Sequence, residues 1–164
     1  MGYGHSYKCN RCGEEYGFAL GIGFLFSKEY QKEIESMASG KYGKKRQAIL
    51  KENPLAAVNA EKKLYICDNC GEWRTGMDLT LYAPNDPEKL WKTKFGEKTV
   101  EEWGYVPYVM PSDLEEDYHI IRNYERKCPR CRNIMREVSE DEMINLKCPN
   151  CGQINEPIGE ILWD

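Results

Sequence analysis

The sequence predicts a small α+β protein in which two β modules are each held together by a cluster of cysteines. Three observations carry this prediction. The chain has 164 residues, of which 41% are hydrophobic and 30% charged, so a large single core is not expected. Its eight cysteines all lie in C-x-x-C pairs. Strand-like segments flank these pairs, and a helix-like pattern lies between the first two of them.

The cysteine pairs predict metal binding rather than disulfide formation. MGYGHSYKC lacks the apolar run of a secretory signal, and no apolar stretch approaches the ~18 residues of a membrane span. We therefore expect a cytoplasmic protein, in which thiols stay reduced and repeated C-x-x-C pairs bind metal. Zn²⁺ takes four thiolates tetrahedrally, so two structural zinc ions are predicted. The expected ligands are Cys9, Cys12, Cys67, Cys70, Cys128, Cys131, Cys148 and Cys151.

The C-terminal module is predicted over residues 121–164, where the cysteine spacing is clearest. Sixteen residues separate Cys131 from Cys148, within the ~15–20 that are typical of a four-cysteine site. A hairpin between the two turns would bring both pairs around one ion. IMREV and MINLKC are predicted as the strands of that hairpin, with SEDE as its turn and GEILW as a last strand.

The motifs CPRC and CPNCG resemble those of zinc ribbons, small β modules with two metal-binding turns at the ends of a three-stranded sheet. The resemblance covers Lys127 to about Trp163. Many zinc-ribbon and rubredoxin-like turns place glycine after the second cysteine. Arg132 occupies that position in the third pair, so the turn there must differ or absorb strain. The other three pairs have the glycine, as Gly13, Gly71 and Gly152.

The N-terminal module, predicted over residues 1–83, resembles the same family more loosely. Its first two cysteine pairs are expected to share one ion around a helical insertion at about residues 27–58. The 54 residues between them are tolerated because the entropy of loop closure grows only logarithmically with length. The alternative is a crossed arrangement, in which the first pair joins a C-terminal pair. The sequential pairing is favoured because the C-terminal spacer suits its own site.

Helical periodicity within the insertion predicts two helices. The first starts at a Ser27 cap and closes at Gly40, and a weaker second helix covers residues 44–52. LYIC and DLTLY are predicted as short strands around the second cysteine pair. The inward face of the first helix is predicted to comprise Tyr30, Ile34, Met37 and Ala38.

The run GFALGIGFLF, residues 17–26, is predicted as a strand rather than as a phosphate-binding loop. No Walker motif is present, and a dinucleotide loop would need glycine where Phe26 stands. Large and small residues alternate along the run, which predicts one bulky and one thin face. The thin face is expected to let the insertion helices or a partner approach closely.

Residues 84–120 are predicted as an ordered connector, because a flexible linker seldom carries so many large rings. Within it, SDLEEDY is expected to face solvent, and Thr99 to cap a short turn. The aromatic residues of the connector are Trp91, Phe95, Trp103, Tyr105 and Tyr108.

The function predicted from these features is that of a non-catalytic zinc-binding interaction module, with another protein as its partner. No G-x-S-x-G motif and no cysteine outside a pair supplies a nucleophile, so no enzyme is expected. His5 and His119 are expected to be non-ligands, solvated and structural respectively. No membrane partner and no small-molecule substrate are indicated.

Two alternatives remain open at this stage. A basic cluster around the third cysteine pair could contact nucleic acid, or it could offset the −2 charge of a Cys₄ site. The net charge of −4 argues against a general polyanion binder. The turns also resemble rubredoxin, which implies an electron carrier, since tetrahedral thiolate sites suit iron as well as zinc. The cationic candidates are Arg126, Lys127, Arg130, Arg132 and Arg136.

Overall fold

The computed structural model shows a small α+β protein whose described strand pairs are antiparallel. None of the helices in the part of the chain that it covers is long and apolar enough to cross a membrane. The structure describes residues 2–23, 26–94, 96–99, 102 and 107–163. Its helices and strands, in chain order, are β1 (Gly2–Lys8), β2 (Glu15–Gly21), α1 (Phe26–Ala38), α2 (Lys44–Glu52), β3 (Ala57–Val58), β4 (Lys62–Ile66), β5 (Trp73–Met77), β6 (Leu81–Pro84), α3 (Pro87–Thr93), α4 (Pro111–Asp117), β7 (Tyr118–Arg122), β8 (Arg136–Glu137), α5 (Glu140–Met143) and β9 (Pro157–Trp163).

The chain forms two compact units, each assembled from segments that are distant in sequence. Unit 1 comprises Met1–Phe24, Glu61–Met77 and Glu125–Asp164, and unit 2 comprises Leu25–Ala60 and Asp78–Tyr124. This division differs from the predicted modules 1–83 and 121–164 with a connector at 84–120. Both predicted boundaries fall inside unit 2, because β6 and β7 cross them and pair with each other.

The sheet of unit 1 is built from two three-stranded parts, which we call ribbon A and ribbon B. Ribbon A has the order β2-β1-β9, and ribbon B has the order β5-β4-β8. The two ribbons join where Gly21 of β2 pairs with Lys62 of β4. Ribbon B and its connections lie between β2 and β9 in sequence, so ribbon B is nested inside ribbon A.

The apolar core of unit 1 lies where the bulky face of β2 meets β1 and β4. Phe18 and Leu20 of β2 are buried there with Leu64 of β4. Tyr7 of β1 is buried too, and its ring stacks on that of Tyr16 at 5.0 Å between centroids. The Tyr7 hydroxyl donates a hydrogen bond to the backbone carbonyl of Met143, the last residue of α5. The other buried members of this core are Val138, Met143 and Leu146.

The predicted IMREV–MINLKC hairpin is wrong. Of these residues, only Arg136 and Glu137 form a strand, and β8 pairs with β4 rather than with MINLKC. The SEDE segment begins helix α5 instead of a turn, because Ser139 and Glu142 form a capping box. The predicted last strand GEILW is confirmed, and β9 pairs along its length with β1.

The strand predicted over residues 17–26 ends early, at Gly21. The φ of Gly21 is 82°, which breaks the extended conformation, and Phe26 opens α1. Phe24 and Leu25 lie outside the described residues. The thin face is partly covered by the ring of Trp163 from β9, whose Nε1 donates to the carbonyl of Leu20 at 3.1 Å. The side chain of Trp163, from the same protein, therefore packs against part of the thin face.

Gly4 allows β1 and β2 to approach closely. A Cβ at Gly4 would overlap the backbone carbonyl oxygen of Phe18, which cannot rotate away. We expect Gly4→Ala to lower the free energy of unfolding of unit 1 by about 1–3 kcal/mol, the usual cost of overpacking. Urea unfolding followed by tryptophan fluorescence measures this change.

A matched control for this substitution is Gly159→Ala in the neighbouring strand. A Cβ at Gly159 would meet only the side-chain Oγ of Ser6, at 3.0 Å, and that group can rotate. The control should therefore unfold at a urea concentration close to that of the wild type. Equal midpoints for the two variants would contradict the close approach at Gly4.

Unit 2 combines the helices α1, α2, α3 and α4 with a three-stranded sheet of order β3-β6-β7. The predicted helix over residues 44–52 is confirmed as α2. Helix α1 begins at Phe26, so Ser27 lies in its first turn and is not its cap. Tyr30, Ile34 and Met37 are buried as predicted, but Ala38 is exposed, because it lies at the helix end.

The predicted connector supplies several core residues of unit 2 instead of linking two modules. Leu114 and Tyr118 are buried, so SDLEEDY is not wholly solvent-facing. The Thr99 cap is present, since its Oγ1 accepts from the Glu102 amide at 3.1 Å. His119 is exposed, not partly buried. Phe95, Trp103 and Tyr105 lie outside the described residues.

Candidate metal centres

The eight cysteines meet in two groups of four, and in each group the Sγ atoms all lie within 4.8 Å of one another. The sequential pairing that the spacing favoured is therefore corrected to the crossed arrangement. Centre A lies in ribbon A and centre B lies in ribbon B. Centre A comprises Cys9, Cys12, Cys148 and Cys151, and centre B comprises Cys67, Cys70, Cys128 and Cys131.

The sulfur geometry fits a tetrahedral ion. In centre A, the Sγ of Cys9 lies 3.5 Å from that of Cys151, and the Sγ of Cys12 lies 3.7 Å from that of Cys148. The corresponding distances in centre B are 3.4 and 3.6 Å. Four sulfurs bound at about 2.3 Å to one tetrahedral ion would lie about 3.8 Å apart. Each centre can therefore hold one ion with only a small adjustment of its side chains.

All four C-x-x-C turns share one hydrogen-bond pattern. The amide of the first cysteine donates to the carbonyl five residues later, at 2.8 Å in every turn. The amide four residues after that cysteine donates back to its carbonyl, at 2.8–2.9 Å. Antiparallel pairing of the flanking residues closes each turn. This repeated turn directs both sulfurs of a pair to the same side.

Arg132 adopts the conformation that glycine has in the other three turns. Its φ is 68°, compared with 73–76° for the three glycines. The third turn therefore keeps the common geometry and absorbs the strain of a left-handed non-glycine residue. A Cβ in this region usually costs about 1–2 kcal/mol.

Replacing Arg132 with glycine should remove this strain. We expect Arg132→Gly to raise the free energy of unfolding by about 0.5–1 kcal/mol, since glycine's greater freedom in the unfolded chain offsets part of the gain. The reverse change in the same ribbon, Gly71→Arg, should lower it by a similar amount, because open space around Gly71 leaves only the backbone effect. Denaturation midpoints of the zinc-loaded variants measure both changes, and destabilisation by Arg132→Gly would contradict the strain.

Strand pairing explains why the crossed groups form. β9 follows the fourth cysteine pair and lies beside β1, which leads into the first pair. β8 follows the third pair and lies beside β4, which leads into the second pair. The two pairs of each centre therefore meet at one end of a three-stranded ribbon. This arrangement is consistent with two zinc-ribbon-like modules.

Asn155 connects both halves of centre A, a role that no pattern in the sequence predicts. It is only 4% exposed, and its Oδ1 accepts from the Asn10 amide at 3.1 Å. Its Nδ2 donates to the hydroxyl of Tyr16 at 3.1 Å. The Trp73 indole of ribbon B also donates to the Lys147 carbonyl, beside the fourth turn. The two Asn155 bonds hold the first and fourth turns in register, and the Trp73 bond connects ribbon B to the fourth turn.

Backbone amides lower the pKa of one thiol in each centre. Burial acts to raise the pKa of Cys9, but the amides of Cys12 and Arg11 outweigh it, and the pKa falls to about 6. The Asn133 amide lowers the pKa of Cys131 to about 6, against the effect of burial. The thiols of Cys9 and Cys131 therefore favour the thiolate form at neutral pH, and the thiolate is the form that binds metal.

Two members of the predicted basic cluster, the exposed Arg136 and the half-buried Arg126, make hydrogen bonds to other parts of unit 1. Arg136 donates to Asp68 at 3.0 Å and to Glu142 at 2.6 Å, and this pairing lowers the pKa of Glu142 to about 2. Arg126 donates to the Met77 carbonyl at 2.9 Å. These two arginines therefore hold unit 1 together. The other three candidates, Lys127, Arg130 and Arg132, are exposed.

A groove of about 420 Å³ lies between the second, third and fourth turns of unit 1. Trp73 forms part of its wall, and Arg130 and Lys147 supply positive charge. Glu72 also lines the groove but is paired with Arg74 at 2.7 Å. A groove lined by an aromatic ring and by cations can contact a base and its phosphates.

Comparisons of this chain with protein-family models, curated proteins and solved structures give no match. Function is therefore inferred from the chain's own geometry. Neither His5 nor His119 belongs to a group that could hold a metal ion within the described residues. The eight predicted cysteines account for both candidate centres.

Proposed function

We propose that this protein is a non-catalytic zinc-binding module that binds another protein, and that two zinc ions hold together the nested ribbons A and B of unit 1. The observation that carries the proposal is the closure of each centre by four thiols at tetrahedral spacing. Four thiolates leave no coordination position for a substrate or for an activated water. The ions are therefore structural, and catalysis is not expected at either centre.

Structural zinc is suited to a unit of this kind. Ribbon B has strands of only two to five residues, and the two pairs of each centre come from distant segments. Zinc bound to four thiolates contributes an apparent ~10–16 kcal/mol in small zinc-finger peptides at neutral pH. That is comparable to the entire ~5–15 kcal/mol stability of a typical domain.

Elemental analysis with visible spectroscopy tests the choice of metal. We expect about two zinc ions per chain and a colourless protein, because Zn²⁺ has a filled d shell. Iron in the same sulfur sites would give strong thiolate charge-transfer bands and would support the rubredoxin-like alternative. Growth in medium supplied equally with zinc and iron prevents a result that only reflects metal supply.

Protein binding is favoured by the surface of unit 1. Several large apolar side chains there are exposed, among them Ile134, Ile154, Ile158 and Leu162. The chain's net charge of −4 opposes general attraction to nucleic acid. Affinity capture from an extract of the source cells, with and without nuclease, tests this part. Proteins that are retained after nuclease treatment, and lost by a variant lacking both metals, are the expected result.

Nucleic-acid binding is a second candidate because of the groove beside Trp73. Its test is the binding of a fluorescent oligonucleotide as a function of salt, with Arg130→Ala/Lys147→Ala as the variant. The groove predicts that this double substitution weakens binding and reduces the salt slope by roughly 1–2. The control is Lys89→Ala/Lys92→Ala in α3 of unit 2, which removes the same charge. No binding at low salt would eliminate this candidate.

A further inference from the structure

Strand β9 lies at the edge of the unit 1 sheet and has a free hydrogen-bonding side. Among the described strands it pairs only with β1, so its other side presents backbone amide and carbonyl groups. The strand has seven residues, enough to align with a segment of similar length. An exposed edge of this kind can accept an additional strand from another chain.

The side chains on one face of this edge are apolar and strongly exposed. Leu162 is 72% exposed and Ile158 is 66% exposed, the two highest values among the large hydrophobic residues described. Exposure alternates along β9 and groups both residues with Glu160, although a β-bulge between Pro157 and Gly159 interrupts the pairing with β1 beside Ile158. Tyr3 of β1 is directly opposite Leu162 and is 40% exposed. These three side chains form an apolar strip along the edge.

β9 carries its protective devices at its start, where a β-bulge lies between Pro157 and Gly159 in the pairing with β1. Its one proline, Pro157, is the first residue of the strand, and the strand contains no lysine. Natural proteins commonly block exposed edges with lysine, proline or a covering element. The apolar strip and the free hydrogen-bonding side of β9 therefore lie along the same edge of the sheet.

The charge around the strip is acidic. Glu160 lies between Ile158 and Leu162 on the same face and is exposed. Burial raises the pKa of Tyr3, and the carboxylates of Glu140, Glu61 and Glu137 raise it further, so negative charge lies near this end of the strip. A segment with lysine or arginine opposite Glu160 would be favoured.

A second copy of the same strand is a poorer match. Antiparallel self-pairing centred on Glu160 would place two Glu160 carboxylates directly opposite each other, which is destabilising. It would also bring together two chains that each carry a net charge of −4. The edge therefore fits a basic partner better than it fits itself.

We propose that β9 binds an extended segment of a partner protein as an additional strand. In this segment every second residue lies on the face of the apolar strip, and these residues are in turn apolar, lysine or arginine, and apolar. The apolar residues contact Ile158 and Leu162, and a basic residue lies opposite Glu160. Backbone hydrogen bonds give affinity, and the alternating side chains give selectivity. This inference rests on the protein-binding part of the proposed function.

The test uses the zinc-loaded full chain and a synthetic peptide of the pattern Thr-Val-Thr-Lys-Thr-Val-Thr. Every second side chain of this peptide lies on the strip face, in the order valine, lysine, valine. Hydrogen exchange and fluorescence anisotropy follow its binding. We expect slower exchange of β9 amides, and at least tenfold weaker binding by Ile158→Thr/Leu162→Thr, which places threonine, a residue suited to strands, at both positions. The control is Ile120→Thr on β7 of unit 2, a residue that is also exposed. A peptide N-methylated at alternate amides should not bind, because it cannot complete the ladder.

Several outcomes would overturn the inference. The first two are hydrogen exchange of the β9 amides that the peptide does not slow, and equal affinity of the β9 and Ile120 variants for the peptide. The other two are slower exchange that arises from self-association of the protein, or slower exchange caused by an oligonucleotide instead of the peptide. The capture experiment separates this failure from that of the proposed function. If the β9 variant captures the same cellular proteins as the wild type, only the β9 site is wrong. If the wild type captures none, protein binding itself fails.

Discussion

Two double cysteine substitutions will lose metal in a pattern that only the crossed pairing produces. Cys9→Ser/Cys151→Ser removes two ligands of centre A, so we expect about one of the two zinc ions to remain. Cys9→Ser/Cys67→Ser damages both centres, so we expect both ions to be lost or weakly held. Native mass spectrometry and elemental analysis of the purified variants measure the zinc content.

Each of these variants is the control for the other, because each removes two thiols. Sequential pairing predicts the reverse pattern, in which Cys9→Ser/Cys67→Ser keeps one ion and Cys9→Ser/Cys151→Ser keeps none. The loss of one centre should also be the largest single effect on stability. Removing ~10–16 kcal/mol of binding energy exceeds what a small β ribbon supplies by itself. Observation of the reverse pattern would refute the crossed arrangement.

Removal of both ions by a strong chelator should unfold unit 1. Without metal, the cysteine turns of each centre are held mainly by strand pairing and by the small core around Tyr7 and Leu64. We expect loss of β signal in circular dichroism and rapid amide exchange throughout β1, β2, β4 and β5. Peptide-level hydrogen exchange by mass spectrometry reports unit 1 and unit 2 separately.

Addition of zinc after chelation is the control for this experiment, and it should restore slow exchange. A spectrum that does not change after release of two metal ions would show that the centres do not hold the fold. Unit 2 contains no cysteine, since all eight belong to unit 1. Any direct effect of metal loss should therefore begin in unit 1.

Features encoded by local sequence were predictable. Helix α2 ends where predicted because Asn53-Pro54, directly after it, is a local signal that a helix cannot continue. The C-x-x-C turns are likewise determined within a few residues, and the anomaly at Arg132 is visible in the sequence alone. The short helix α5 was missed although Ser139 and Glu142 form a capping-box pattern, because the spacing of a zinc ribbon favoured a hairpin there.

The pairing of the cysteines was not predictable from spacing, for an energetic reason. The crossed arrangement closes chain separations of 136 and 58 residues between the nearest cysteines of each centre. Sequential pairing would close chain separations of 55 and 17 residues. The logarithmic dependence of closure entropy makes this difference only about 2 kcal/mol. Pairing of β9 with β1 and of β8 with β4 outweighs it, and neither contact leaves a local signal in the sequence.

The nested order of the ribbons has a consequence for synthesis on the ribosome. Centre B has all its ligands once Cys131 has emerged, whereas Cys9 and Cys12 wait for Cys148 and Cys151. At translation rates of about 5–20 residues per second, the first two thiols stay without their final partners for roughly 7–30 seconds. During that time they are open to oxidation and to capture by the wrong cysteine pair. We therefore expect metal to bind the inner centre, centre B, before the outer one can close.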